Sequence, residues 1–207
     1  IAPYTKTDLD SSVKSANSSA SAAAQNYQKN KTLKITNDGT SKYYSVRVEV
    51  CKNQTLLEAN CVRYGNSWKP EGLIQRYSNN IRYGALSYLN IDGNGRNGGV
   101  LRSPQKYVGQ EIRTPKVLGT QDNPNKEWDT ATGIINTNPD SDPIGNSGVI
   151  NYINKFGELT NEHKDNDPVS ELYYTALRYF KNQGDVPSYS STSNDIQKDK
   201  FPVVTAW

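Results

Sequence analysis

The pattern of hydrophobic and polar positions is clearest between residues 167 and 184, where it predicts an amphipathic helix. Apolar side chains recur there at the spacing of one helix face. Asp167 can cap the first free amides, and Pro168 suits the first turn because an amide there has no helical partner. Gly184 lets the chain leave the helix. The apolar face, which we expect to pack on a sheet, comprises Val169, Leu172, Tyr173, Ala176, Leu177 and Phe180.

Other segments predict strands. Thr32–Thr36 and Tyr43–Cys51 have the pattern of a hairpin with a turn at residues 37–39. Ile81–Ile91 is almost continuously apolar, which is typical of a strand covered on both faces, and we expect it at the centre of the sheet. Residues 100–109 predict an edge strand that is interrupted by Pro104.

Helical patterns alternate with these strands. Residues 11–27 carry a weak apolar stripe, while "KPEGLIQRYSNN" and "SGVINYINKFG" each predict a short helix. Strands that alternate with helices favour an α/β fold with helices on the faces of one sheet. We therefore predict one domain over residues 1–207, elaborated by long loops.

The longest of these loops covers residues 110–147 and is rich in Asn, Asp, Pro, Gly and Thr. Long loops of this kind are often functional or mobile, so we expect a surface excursion with little regular structure. Trp128 is its one tryptophan. Two roles are open for this side chain: contact with a partner, or an anchor that folds the loop back on the core.

The composition favours binding through an exposed surface over catalysis in an enclosed pocket. The apolar share is 34% with a mean hydropathy of −0.81, and 14 Tyr stand against 3 Phe and 3 Trp. Tyrosine combines apolar area with a polar tip, which suits contact patches. The net charge is only +3, and positive and negative residues are interspersed along the chain. A nucleic-acid-binding protein is expected to have a basic stripe, so this pattern weighs against that class. No apolar run is long enough to span a bilayer, so we predict no membrane span.

Cys51 and Cys61 are the two cysteines of the chain, and they lie close enough to close a short polar loop. A disulfide is the favoured interpretation, with two reduced cysteines in a cytosolic protein as the alternative. A disulfide places the protein outside the cytosol.

Other candidate chemistry is weak. His163 is the one histidine and lies in a charged segment without a nucleophile motif, so we predict no catalytic triad and no enzyme. Asp140 and Asp142 are interpreted as turn-forming residues. Asp92 and Asn94 have the spacing of a calcium loop, but Arg96 takes a ligand position and a glycine-rich turn is the favoured interpretation.

Several blocks together resemble a known family. They are "VRVEVC", "LLEANCVRYG", "KPEGLIQRY", "IRYGALSYL", "GGVLRSPQKYVG", "SGVINYINKFG" and "DPVSELYYTALRYFKNQG", and they span roughly two thirds of the chain. In this order they resemble the N-terminal region of the type IV pilus tip-associated adhesins of the PilC/PilY family. The resemblance implies a von Willebrand factor A-like, Rossmann-like sheet, and we expect that sheet to be incomplete here.

The resemblance also implies a metal-ion-dependent adhesion site, with Ca²⁺ or Mg²⁺ in the full-length protein. Asp167 corresponds by position to a ligand of that site, with a helix cap as its alternative role. The first ligand loop is unmatched, because Lys14 takes a ligand position after Asp10 and Ser12. We therefore expect no bound ion in residues 1–207 alone. The apolar ending "FPVVTAW" predicts that this chain is a fragment, with another strand beyond Trp207.

By resemblance the chain is an extracellular binding module at the pilus tip or bacterial outer surface. It would mediate attachment to host cells and support pilus assembly and twitching motility. Its partners would be a host-cell receptor, glycan or protein, and the minor pilins, with Trp128, Asp92 and Asn94 as candidate contacts. The alternatives are a structural pilus-tip cap without receptor binding and a secreted carbohydrate-active enzyme.

Overall fold

A computed structural model describes residues 32–37, 40–45, 49–52, 55–90, 98–113, 119–160 and 168–207. The chain separates into two compact units, Ile1–Glu49 and Val50–Trp207. The single domain over residues 1–207 stays a prediction, and each unit is described by itself.

The described residues of the first unit form one antiparallel hairpin. Strand β1 is Thr32–Asn37 and strand β2 is Thr40–Ser45, with Thr32 opposite Ser45 and Asn37 opposite Thr40. The predicted first strand agrees with β1, whereas the second begins three residues before the predicted Tyr43 and ends at Ser45. The predicted turn residues Asp38 and Gly39, and the predicted helix over 11–27, lie outside the described residues.

In the second unit, the part of the chain that the structure describes forms three further antiparallel pairs. Strand β3, Cys61–Tyr64, pairs with β4, Ser67–Pro70. Strand β5, Tyr83–Ser87, pairs with β6, Val100–Lys106, and β7, Glu111–Ile112, pairs with β8, Gln121–Asp122. Val204 forms a bridge with Leu101 on β6. The von Willebrand factor A-like arrangement of strands stays a prediction.

Strand β5 is shorter than the predicted strand Ile81–Ile91. Ile81 precedes it and is 47% exposed, whereas Ala85 and Leu89 are buried. The pairing with β6 shifts register on both sides of Ala85. These irregularities limit the ladder, since each shift interrupts the regular alternation of hydrogen bonds. Among the described residues β5 has one strand partner, so the central position predicted for it is not seen there.

The described residues of the second unit also include four helices. They are α1, Leu73–Arg76; α2, Val149–Lys155; α3, Val169–Phe180; and α4, Pro187–Ser190. The first three lie where the apolar pattern predicts them, whereas the sequence analysis predicts no helix at the position of α4. Gly184 has φ +71°, in agreement with its predicted role after α3.

Helix α3 contacts β5 and β6 through a face that shares Leu172 with the predicted one but also includes Thr175 and Tyr179. Thr175 is buried and donates to the Gly99 carbonyl at 2.9 Å, and the Tyr179 hydroxyl accepts from the Gln105 amide at 2.7 Å. A Cβ at Gly99 would lie 2.8 Å from the Leu172 Cα, so this glycine permits the close approach. These contacts fix the rotation of the helix about its own axis. As a result, four members of the predicted face are exposed: Val169, Tyr173, Leu177 and Phe180.

The core of the second unit gathers side chains from distant parts of the chain. Ala85 comes from β5, Trp128 from the long loop, and Phe201 from the C-terminal segment. Phe201 packs edge-on against Tyr152 of α2, with ring centroids 5.0 Å apart. The complete cluster is Tyr64, Ala85, Val108, Trp128, Val149, Ile150, Tyr152 and Phe201. The C-terminal segment and the long loop are therefore integral to this unit.

Candidate functional site

The loop over residues 110–147 is bound to the core by its tryptophan. Trp128 is 6% exposed and belongs to the core cluster, and its backbone forms a bridge with Ile135. Of the two roles proposed for Trp128, this arrangement corresponds to an anchor that holds the loop against the core. Contact of Trp128 with a partner stays a prediction.

Glu127, the preceding residue, connects the same loop to helix α2. Its carboxylate is fully buried and accepts from the Val149 amide at 2.8 Å and from the Ile150 amide at 2.7 Å. The first amides of a helix have no partner within the helix, and a carboxylate there also interacts favourably with the helix dipole. Glu127 therefore caps α2 from a distant part of the chain.

A lysine balances this buried charge. The Lys106 Nζ lies 3.3 Å from Glu127 Oε1 and also forms an ion pair with Asp140. Gly148, at the N-cap of α2, has φ +89°, and a Cβ there would lie 2.6 Å from Pro139 Cγ. Gly148 and Pro139 therefore leave no room for a further side chain beside the Glu127 carboxylate.

Polar turns complete the anchoring of the loop. The buried Asn123 side chain donates to the carbonyls of Tyr107 and Gly109 at 2.9 and 2.8 Å. The Asn138 side chain accepts from the Asp142 amide at 3.0 Å, and the Asp142 carboxylate accepts from the Ile144 amide at 2.9 Å. Asp142 therefore has the predicted turn-forming role.

The outer rim of the loop, which we define as Asn125, Asp129, Thr130 and Ile134, faces solvent. Ile134 is 60% exposed. Hydrogen bonds from the Thr132 side chain and amide lower the pKa of Asp129, so its carboxylate stays charged at neutral pH. The rim combines one apolar side chain with amide, hydroxyl and carboxylate groups, a mixture typical of non-obligate contact surfaces.

A buried charge that the sequence analysis missed, Arg102, lies beneath the C-terminal segment. Arg102 donates to the Ser87 hydroxyl at 2.8 Å and to the carbonyls of Lys198 and Tyr88 at 2.7 and 2.5 Å. Burial lowers the pKa of Arg102, while Tyr152 and Asp199 act in the opposite direction. Arg102 directly follows Val100 and Leu101 in β6, and a charge next to this apolar pair was the available signal, since a buried arginine needs several acceptors.

A cleft of about 390 Å³ lies beside β5. Its lining contains one carboxylate, that of Asp199, which accepts from the Gly157 amide at 2.6 Å and from the Thr160 hydroxyl at 2.8 Å. The carbohydrate-active enzyme alternative requires two carboxylates in one pocket. This cleft does not supply that pair.

The remaining predicted site residues divide into two groups. The disulfide between Cys51 and Cys61 is present. The candidate partner contacts Asp92 and Asn94, the candidate metal ligand Asp167, and His163 lie outside the described residues. Within the described part of the chain, Cys51, Glu58 and Cys61 form the one cluster of three potential metal ligands. Both sulfurs there are bonded to each other and are not thiolate ligands.

The described helices include none that is both long and apolar enough to cross a bilayer.

Comparison with known proteins gives one relationship of high identity. Over 182 residues, 79% of this chain, the sequence is 46% identical to a Xylella fastidiosa protein described as a type IV pilus biogenesis factor PilY1 homolog. The matched part is 15% of the length of that relative. No protein-family model matches the chain, and no solved structure is significantly similar to it. Most of this chain is therefore similar to a short part of that relative.

Proposed function

We propose that this chain is a module of a type IV pilus biogenesis factor that acts at the bacterial surface. The observation that carries the proposal is the 46% identity to the Xylella fastidiosa relative over most of the chain. A disulfide in a polar loop agrees with a location outside the cytosol, because disulfides persist in oxidising compartments.

Within that role we propose that the module contacts a host-cell receptor or a minor pilin, and that it supports attachment and twitching motility. The outer rim of the loop is the described surface that suits this role. Its side chains are solvent-exposed, while Glu127 and Trp128 beneath it are fixed in the core. A rigid base lowers the entropy lost when a surface loop binds.

A structural pilus-tip cap without receptor binding is the second candidate. That function predicts a long loop that packs on protein and does not stand free. The burial of Asn123, Glu127, Trp128 and Ser147 favours it. The experiment must therefore distinguish a receptor-binding module from a structural cap.

The test separates assembly from attachment. Bacteria carry the full-length gene with the rim changes Asn125→Ala and Ile134→Ala, or with Ile196→Ala as the matched control at another exposed isoleucine. Surface pili are counted by electron microscopy, and attachment to host cells is measured per pilus. We expect the rim variant to keep its pili and lose attachment, and the control to keep both.

Two other results would change the assignment. Unchanged attachment by the rim variant would favour the cap. Unchanged pilus number after removal of residues 50–207 would contradict a role in biogenesis. Deletion of residues 110–147 is a poor test, because it removes Glu127 and Trp128 from the core.

A further inference from the structure

Lys106, at the end of strand β6, lies between two carboxylates. The Lys106 Nζ is 3.3 Å from Oε1 of Glu127 and also forms an ion pair with Asp140. The Glu127 side chain is fully buried, whereas the side chains of Lys106 and Asp140 are 19% and 28% exposed. An amine in contact with one carboxyl group to attack and a second to carry protons has the components of a condensation reaction.

Each of the three side chains is positioned by a different part of the fold. Lys106 is the last residue of β6. The Glu127 carboxylate accepts from the first two amides of α2, which hold it beside the Lys106 amine. The Asp140 amide donates to the hydroxyl of the buried Ser147 at 2.9 Å. Groups that are held together in this way react as if their concentration were on the order of 10⁵ M or more.

Burial of this ion pair favours an uncharged product. An ammonium and a carboxylate that leave water lose hydration, and their mutual attraction offsets only part of that loss. An amide and a released water molecule carry no charge and avoid this cost. Glu127 would keep its two helix amides, and the N–H of the new amide would replace the Lys106 ammonium as its third donor.

We propose that Lys106 and Asp140 condense spontaneously to an isopeptide bond, with Glu127 as the catalytic residue. The Lys106 ammonium first gives one proton to Asp140, which leaves a neutral amine and a carboxylic acid. The Lys106 Nζ then forms a bond to Cγ of Asp140, while Glu127 takes a proton from that nitrogen. Glu127 returns the proton to a hydroxyl group on Cγ, the Cγ–O bond breaks, and one water molecule leaves. Atoms and charge balance without a further reactant.

The bond joins the end of β6 covalently to the long loop. It closes a ring between two residues with a sequence separation of 34, and this ring contains Glu127 and Trp128. Such a ring restricts the unfolded chain as a disulfide does, but a reductant does not open it. Because the reaction needs only these three side chains, it is independent of the proposed function.

Peptide mapping of the full-length protein by mass spectrometry tests this proposal. The protein is denatured, reduced and digested with trypsin, which does not cut after a modified lysine. Lys106 then stays within residues 103–113, and Asp140 lies in residues 127–155. We expect one branched peptide with the summed mass of these two segments less one water molecule, and fragment ions that place the bond between Lys106 and Asp140. Unlinked peptides with cleavage after Lys106 would overturn the proposal and leave an ordinary ion pair.

The pair formed by Lys126 and Asp122 is a matched control within the same digest. Its Nζ and Oδ1 atoms are 3.6 Å apart, and its side chains are 33% and 63% exposed. An exposed pair keeps its hydration and has little reason to condense, so these two residues should stay unlinked. A similar yield of cross-link at both pairs would contradict a specific reaction at Lys106.

Two variants assign the roles of the side chains. Lys106→Arg keeps the positive charge but removes the nucleophilic amine, and Glu127→Gln keeps the side-chain shape but cannot carry the proton. We expect no branched peptide from Lys106→Arg and an at least tenfold lower yield from Glu127→Gln, while circular dichroism shows that each is folded. A full yield from folded Glu127→Gln would contradict the catalytic role of Glu127. The peptide map of the unaltered protein decides whether the bond exists even if a variant does not fold.

Discussion

The carboxylate of Glu127 lies 2.8 Å from the amide of Val149, although 22 residues separate them along the chain. This hydrogen bond joins the long polar loop to the first turn of α2. A second bond to Ile150 and the ion pair with Lys106 satisfy the rest of the buried charge. The loop is therefore part of the folded core of the second unit, and its outer rim is held by that connection.

We expect Glu127→Ala to lower the free energy of unfolding by about 3 kcal/mol, because two charged hydrogen bonds are lost in a buried place. Glu127→Gln keeps one acceptor and should lose about half as much. Urea unfolding measures both. The control is Asp195→Ala, which removes an exposed partner 3.8 Å from Lys198 and should cost less than about 0.5 kcal/mol. Equal losses at positions 127 and 195 would contradict the capping role.

Gly148 and Gly145 offer a matched test of the space around that cap. Both have φ near +85 to +89°, but a Cβ at Gly148 meets Pro139 Cγ at 2.6 Å, whereas one at Gly145 meets nothing within 4 Å. We expect Gly145→Ala to cost about 1 kcal/mol from backbone strain alone. Gly148→Ala should cost about 2 kcal/mol more, because Pro139 or Glu127 must move. Thermal unfolding of the two variants gives the difference, and similar values would show that the contact relaxes freely.

The disulfide gives a prediction that does not depend on the loop. Replacement of Cys51 and Cys61 by serine should lower the free energy of unfolding by about 2.5–3 kcal/mol, as expected for closure of a loop with a separation of ten residues. Reduction of the unaltered protein should produce the same loss in urea unfolding, and a reductant should have no effect on the double variant. A reductant effect on the double variant would point to another cause.

Tyr64 gives a prediction at alkaline pH. Burial and a hydrogen bond to Glu71 raise the pKa of Tyr64. The folded state therefore holds this proton more tightly than the unfolded chain, whose tyrosines titrate near about 10. The contribution of Tyr64 is complete below that pH and is lost as the pH rises above it. Urea unfolding between pH 8 and about 11.5 should show a shallower loss for Tyr64→Phe than for the unaltered protein. Tyr173→Phe, at an exposed tyrosine, should match the unaltered protein; a shallower loss there would assign the effect to tyrosines in general.

Local patterns predicted the elements well in several places. The helix after Pro168, the short helix after Gly148 and the cysteine pair all depend on residues close together in the chain. Helix periodicity and loop closure are local properties, so a sequence carries them without knowledge of the remaining fold. The candidate site was harder to predict from the sequence. Trp128 stands out as the one tryptophan of the loop, while Glu127 beside it has no local signal of its distant partner.

The sequence by itself determined where α2 and α3 lie, which cysteines pair, and which residues form turns such as that at Asp142. The tertiary structure decided which face of α3 is covered, and which charges, Glu127 and Arg102, are buried. The reason is physical: periodicity measures the apolar content of a face, but burial also depends on whether a distant group satisfies each polar atom. Thr175 is buried because Gly99 offers a carbonyl, and Phe180 is exposed because the same contact turns the helix.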